Sequence, residues 1–363
     1  MLTIGYDASV TLAPSPRGIA RYTMELLRAI VALPRPDLRL AVLLNSLRHE
    51  PDARHGFLFS DPRIEVIRRK LPGPIVVHGW RLLQRPTWEQ ITGAACDVVH
   101  GPANYIPPSR SPVVVTVHDL GFLRDDAAKS AALAGKYFRD AFPRQLPRVA
   151  GIITPSRFVA DEVAAQYHID SSRITAIHSG IDGALFSPSR RLSDDQLKGL
   201  GITKRFILAV SDGTPRKRAH WIPKIAELCG GIDAQFVALG LPAEMRSANV
   251  LALGQVSDEI LAGLYASTEA MLLTSREEGF GFPVLEALAS GTRVVCAGSS
   301  SLPEIGGSFV TYAEGDSPGA FAEALTKALA QPRKDAAAEH ARGFTWEHCA
   351  RQVVQVYERM ARS

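Results

Sequence analysis

Glu278 and Glu286 stand eight positions apart in the segment AMLLTSREEGFGFPVLEALASGTRVVCAG, residues 270–298. A glycine-rich turn lies between them. Gly279 and Gly281 permit backbone conformations and a close ligand approach that side chains would block. Pro283 suits the first turn of a helix, where its missing N–H matters least, and Gly291 suits the end of one. The segment therefore predicts strand, turn, helix and strand. A helix opening at such a turn presents free N–H groups and the positive end of its dipole, which makes an anion site. A diphosphate is the expected anion. Glu278 would accept hydrogen bonds from sugar hydroxyls and Glu286 two from a ribose. The plainer alternative is that Glu278 caps the helix and Glu286 is a solvated surface charge.

Three other places carry candidate chemistry. Arg216 and Lys217, in SDGTPRKRAHW after an apolar run, are cations suited to phosphate oxygens; a solvated basic loop is the alternative. His118 closes Val113–His118, which has the pattern of a buried strand. Gly18 precedes the first helical segment and marks either a close-approach turn or an ordinary strand-to-helix connection. No Asp-x-Asp run is placed to hold a divalent metal against a diphosphate, so no essential metal or other cofactor is expected.

The elements that must position these residues alternate along the whole chain. Strands are expected at Leu2–Ala8, Arg39–Asn45, Ile64–Ile67, Val98–Gly101, Val113–His118, Val149–Pro155 and Ile174–His178. A second set is expected at Arg205–Val210, Ala234–Leu239, Val250–Leu253, Ala270–Thr274, Arg293–Ala297 and Phe309–Tyr312. Helical spacing fills the gaps, beginning with Ile19–Leu33. Such alternation indicates parallel, doubly wound α/β sheets. The pattern loosens over Gly180–Leu200, which reads as a linker with a short helix. The expected division is 1–182, 183–344 and a closing helix at 345–363, with a ligand cleft between two Rossmann-like domains.

Composition narrows the function class. The chain has 363 residues, 46% hydrophobic and 21% charged, with a formal charge of +4. This charge excess is too small to suggest nucleic-acid binding. Cys96, Cys229, Cys296 and Cys349 are too scattered for a zinc site or a disulfide framework. The N-terminus lacks the basic and apolar regions of a secretory signal, and no apolar run is long enough to span a bilayer. A cytoplasmic location follows. The basic stretch 62–86, with Trp80, is either a solvated face or a peripheral contact with an anionic bilayer.

The segment SREEGFGFPVLEALASGTRVVCAGSSSLPEIGG resembles the signature of the family 4 retaining glycosyltransferases, whose fold is called GT-B. PSPRGIARY resembles the opening turn of mannosyl- and rhamnosyl-type members, with Ala20 where a second glycine is usual. VTVHDL, ITPSRF, HSGID and FTW also match, so the resemblance covers nearly the whole chain. It implies a nucleotide-sugar donor, with sites at Gly18, Gly279, Phe280, Gly281, Phe282, Val284, Leu285 and Glu286. It places His118 and Glu278 at the donor sugar and Lys217 and Arg216 at the phosphates. It implies retention of anomeric configuration, a glycan or lipid-linked glycan acceptor bound by the first domain, and a final helix returning to that domain. GDP-mannose or a related GDP-sugar is the expected donor, in bacterial polysaccharide or O-antigen assembly. A two-domain sugar-nucleotide epimerase and a non-catalytic carbohydrate-binding protein of the same fold are the rival expectations. An NAD-dependent dehydrogenase is disfavoured, because no G-x-G-x-x-G follows the first strand.

Overall fold

The computed structural model describes residues 1–14, 18–123, 133–241 and 247–362. The chain divides into two compact units. One comprises Met1–Gly180 with Trp346–Ser363, and the other Ile181–Thr345.

The first unit is built on seven parallel strands, β1 (Leu2–Asp7), β2 (Leu38–Asn45), β3 (Ile64–Arg69), β4 (Val98–Gly101), β5 (Val113–Thr116), β6 (Gly151–Thr154) and β7 (Ile174–Ala176). Their order across the sheet is β3-β2-β1-β4-β5-β6-β7. Ile4 of β1 pairs in register with Leu40 on one side and Val98 on the other. The order thus runs one way from β1 and the other way from β4. The second unit has six parallel strands, β8 (Phe206–Val210), β9 (Gln235–Leu239), β10 (Val250–Leu253), β11 (Ala270–Leu273), β12 (Arg293–Ala297) and β13 (Thr311–Ala313). Their order is β10-β9-β8-β11-β12-β13, with the reversal between β8 and β11.

Helices cover both faces of these sheets, so the strands are apolar at nearly every position rather than at alternate ones. The second unit shows this residue by residue. Leu208, Met271 and Leu273 enter one core, while Ile207, Ala209, Ala270 and Leu272 enter the core on the opposite face. In the first unit, α1 (Ile19–Ala32) and α2 (Gly73–Leu83) are the helices that matter most below. In the second, α3 (Phe282–Ala289) follows β11. The chain then ends in α4 (Trp346–Met360), which packs on α1 within the first unit. Cys349, Val353 and Tyr357 on α4 are fully buried, and Glu358 pairs with Arg35 at 2.7 Å.

Several expected boundaries shift; the strands expected at Val149–Pro155 and Ile174–His178 are Gly151–Thr154 and Ile174–Ala176. The strand expected to end at His118 stops at Thr116: Val117 still bonds β6, and His118 leaves the ladder. Val117 N bonds Ile153 O, and His118 N bonds the side chain of Asn104. The first strand ends at Asp7 rather than Ala8. The last strand begins at Thr311, because Gly307–Phe309 is a 3-10 turn. Trp80 is 4% exposed and its Nε1 donates to Pro86 O at 2.9 Å, so its ring does not offer itself to a bilayer. Much of the 62–86 charge is also neutralised locally, with Arg63 on Asp61, Arg68 and Lys70 on Glu50, and Arg81 on Asp140. Cys229, Cys296 and Cys349 are buried free thiols, and Cys96 is half-buried.

Candidate active site

The reversal between β8 and β11 determines which side chains can meet. Ligands of open parallel sheets bind outside the carboxyl ends of the strands, where the order reverses. At this reversal the loop after β8 and the loop after β11 are neighbours. The first runs through Ser211–Thr214 into a 3-10 turn at Pro215–Lys217, and the second through Thr274 to Gly281. Two bonds stitch them together: Thr274 Oγ1 donates to Lys217 O at 2.7 Å, and Arg276 N to Arg216 O at 2.8 Å.

This stitching brings together three of the charged residues singled out from sequence. Lys217 Nζ donates to Glu278 Oε1. Arg216 Nη1 lies 3.4 Å from Glu278 Oε2 and 3.0 Å from Glu277 O. Lys217 is 8% exposed and Glu278 7%, so the pair is buried and Lys217 is no solvated loop residue. Burial pushes the Glu278 carboxyl up, and the Lys217 and Arg216 cations more than reverse that push, leaving it below the usual carboxylate value. The capping alternative for Glu278 also fails, since the N-cap of α3 is Gly281 and no side chain caps it.

Gly281 adopts φ 102° and ψ 45°, a left-handed conformation that favours glycine. An added Cβ would stand 3.0 Å from Leu302 Cδ2. Pro283 sits in the first turn of α3, as its lack of an N–H permits. Glu286 is 5% exposed on α3, which removes the surface-charge alternative. Phe280 is buried and meets Phe282 edge to face at 5.0 Å. Val284 and Leu285 differ from the other expected donor contacts. Their side chains lie in the core and their amides bond Gly281 O at 2.9 and 3.2 Å, so both are committed to the fold.

Sequence reasoning assigned no role to the serines after β12 as braces. Ser300 Oγ accepts from Glu278 N at 3.0 Å, and Ser301 Oγ donates to Glu278 O at 2.8 Å and Phe280 O at 2.9 Å. They hold the glutamate's backbone from both sides. The run of three serines one glycine beyond β12 was the available signal. Asp212 was also passed over. Burial raises its carboxyl, but Thr214, Lys217 and Arg216 hold it below its ordinary value. Among the described residues, no group of three or more His, Cys, Asp or Glu could hold a metal ion.

His118 and Gly18 belong to the first unit. His118 is 8% exposed, two residues beyond the end of β5. Its Nε2 lies 2.7 Å from Pro102 O, and since a carbonyl only accepts, Nε2 carries the proton. Burial pulls its pKa below the ordinary histidine value, so the ring is neutral and Nδ1 keeps its lone pair. Tyr22 of α1 stands edge-on to this ring at 4.6 Å. Gly18 is the N-cap of α1 at φ 55°, and nothing lies within 4 Å of where its Cβ would be. Its backbone conformation therefore accounts for the glycine.

Two units, each a parallel sheet flanked by helices and reversing its strand order once, are the build of a GT-B glycosyltransferase. Residues 16–184 match the Glycosyltransferase Family 4 family and residues 202–343 match Glycosyl transferases group 1, together most of the chain. The chain is 26% identical over 375 residues to the O-antigen chain mannosyltransferase B of Escherichia coli, covering 94% of this chain and 96% of that one. Sucrose-phosphate synthase from Thermosynechococcus elongatus matches the fold with a TM-score of 0.71 at 17% identity, covering 100% of both chains. Anabaena HepE in complex with UDP and glucose matches at 0.62 and 17%, covering 100% of this chain and 99% of that one. The chain belongs to the family 4 glycosyltransferases and is a transferase enzyme.

Proposed function

We propose that the enzyme moves a hexose-type sugar from a nucleotide diphosphate sugar to a glycan or lipid-linked glycan, with retention of anomeric configuration. The observation that carries this reading is the buried Lys217–Glu278 pair, with Arg216 beside it, at the reversal between β8 and β11. Departure of the nucleoside diphosphate builds negative charge on its β-phosphate. Lys217 and Arg216 meet that charge, together with the amide end of α3. Glu278 accepts hydroxyl protons from the donor sugar, and Glu286 binds the ribose. No divalent metal is needed in this scheme. His118, neutral and with Nδ1 open as an acceptor, serves as a sugar contact rather than as a base.

In the transfer step, the bond from the anomeric carbon to the β-phosphate oxygen breaks. The acceptor oxygen bonds the same face of that carbon, and its proton passes to the leaving phosphate. The mannosyltransferase relative favours mannose or a related sugar from a GDP donor, and a role in bacterial cell-surface polysaccharide assembly at the cytoplasmic side. Among the described residues, no helix is long and apolar enough to cross a membrane. A peripheral bilayer contact belongs to the same proposal. It falls to Ile75, Leu82 and Leu83, which α2 leaves exposed, with Lys70 and Arg85 flanking that helix in sequence.

A thermal-shift panel of UDP, GDP, ADP, dTDP and CDP in EDTA tests the donor half. One nucleotide raising Tm without metal, and losing that effect in Lys217→Ala, is the expected result. No shift from any nucleotide, even with magnesium restored, removes the diphosphate assignment.

A further inference from the structure

Arg216 and Lys217 both face Glu278, but the cation that follows them turns elsewhere. Arg218 is 8% exposed, and its guanidinium pairs with Asp316, three residues beyond β13. Nη2 donates to Asp316 Oδ2 at 2.7 Å, and Nη1 donates to Oδ1. Two parallel bonds of this kind fix a planar guanidinium in orientation as well as in place. The same group lies over the Trp221 ring, 4.3 Å from its centroid, a cation–π contact. Trp221 opens the helix Trp221–Leu228 and meets Phe321 of the helix Pro318–Ala330 edge to face at 5.8 Å. Arg218 thus ties the loop after β8 to the loop after β13.

The backbone is strained at the same residue. Arg218 has φ 49°, in the left-handed region where a side chain is unfavourable. Among the described residues of the second unit, only Arg218 and Ser300 are non-glycines at positive φ. Ser300 holds the amide of Glu278, and Arg218 directly follows Lys217. Each member of the buried ion pair therefore has a strained residue beside it. Such strain persists only where the surroundings over-determine it, and it gathers at functional sites. Here those surroundings are visible. Arg218 N donates to Pro215 O at 3.1 Å, and Arg218 O accepts from Trp221 N at 2.9 Å. Thr274 Oγ1 lies 2.7 Å from Lys217 O and 3.4 Å from Arg218 O. The peptide joining Lys217 to Arg218 is held by Thr274 from one loop and, through the guanidinium, by Asp316 from another. Successive side chains are sent to different partners, Lys217 to Glu278 and Arg218 to Asp316. Without Asp316, three successive cations would have one buried glutamate among them.

We propose that Arg218, locked by Asp316 and Trp221, is a positioning residue that holds Lys217 where the donor's β-phosphate arrives. The assignment rests on the proposed diphosphate site. Arg218 acts through Lys217 and touches no substrate.

The test compares, in the full chain and in EDTA, the affinity for each of UDP, GDP, ADP, dTDP and CDP with that for its monophosphate. The ratio within a pair reads the grip on the β-phosphate. A merely structural role would lower Tm and leave the ratio untouched. In the unmodified enzyme the diphosphate that binds should exceed its monophosphate about tenfold or more, the scale of a hydrogen bond to a charged group. The Asp316 side chain is 72% exposed, so Asp316→Asn leaves the core intact. It should cut the preference at least about threefold, part of that same bond, with monophosphate affinity unchanged. Arg218→Gly tolerates the left-handed turn but lacks the lock, so it should cut the preference at least as far. Lys217→Ala should abolish it. A preference lost in Lys217→Ala but intact in Asp316→Asn or Arg218→Gly overturns the positioning role alone. A preference that survives Lys217→Ala, or no binding of any nucleotide, strikes the donor assignment and the positioning role with it.

Discussion

The two sheet reversals solve the same topological problem with opposite electrostatics. At β8/β11 a glutamate is buried against two cations, and its carboxyl is held below the ordinary value. At β1/β4 Asp7 has no cation among the described residues; Ser9 hydrogen-bonds it, but burial outweighs that and raises its carboxyl. One carboxylate is compensated by cations of the fold and the other is not. The strand order supplies the location in both cases, and the loop residues decide what each location can take.

The largest expected effect lies at the charged reversal. Lys217→Ala removes a preorganised cation from the developing phosphate charge and should lower kcat by about 10²–10³-fold. It also strands Glu278 as a buried, poorly compensated carboxylate, destabilising the second unit by about 3–5 kcal/mol. The double variant Lys217→Met/Glu278→Leu separates these effects. It should recover most of the stability and none of the turnover, read by denaturant unfolding and by nucleotide release. If the double variant were as unstable as the single one, the pair would not be the electrostatic unit described here.

Next come the two glycines that open helices at these edges. Gly281→Ala meets both a positive φ and Leu302 at 3.0 Å. About 1–3 kcal/mol of strain is expected, with turnover reduced about 10–100-fold as the loop shifts. Gly18→Ala has the positive φ and open space, so it should show the strain alone. Equal losses of turnover in the two variants would show that the Gly281 loop is not special.

The two carboxylates should then respond to acid with opposite signs. Glu278 has a lowered pKa, so its stabilising contribution is full above the ordinary glutamate value and is lost as pH falls through the folded value. Glu278→Gln should therefore be most damaging near neutrality and least damaging in acid. Asp7 has a raised pKa, so burial penalises its charged form above that value, and the penalty disappears as pH falls toward the unfolded value. Asp7→Asn should be most favourable near neutrality, with its advantage shrinking in acid. Melting temperatures of the three proteins across the carboxylate range check both signs, and parallel curves would contradict the contrast.

Legibility in the sequence followed the range of the interactions. The strand–turn–helix at 270–289 was readable because glycine, proline and apolar spacing act within a few residues, and the structure has it as β11, the turn and α3. The alternation of elements similarly disclosed the parallel α/β build. Which residues meet was not readable from local pattern. Lys217 reaches Glu278 across 61 positions because β8 and β11 are neighbours, a fact of strand order. Val284 and Leu285 looked like site residues by proximity to the motif, yet helix periodicity turns them into the core. The stretch 62–86 with Trp80 read as either a solvated basic face or a bilayer contact, and neither reading foresaw that the buried indole N–H donates to Pro86 O inside the unit. Asp7 drew no attention, because a lone aspartate ending a strand means little until the order of seven strands sets it at a reversal.

The smallest expected effect concerns how α4 is tied to the first sheet. Tyr357 OH lies 2.6 Å from His100 Nδ1, and His100 Nε2 lies 2.8 Å from Thr116 Oγ1 at the end of β5. Burial lowers His100 to about 3, so it stays neutral and can donate through one nitrogen only. The chain Tyr357–His100–Thr116 is thus a fully buried neutral relay, two residues before His118. Tyr357→Phe keeps the ring and deletes one bond, so it should lower stability by about 1–3 kcal/mol by leaving His100 short of a partner. Nucleotide binding by the second unit should not change, because none of these residues belongs to it. A loss of nucleotide binding in Tyr357→Phe would mean that the two units are energetically coupled through α4, and the contrast between the reversals would then describe one site rather than two.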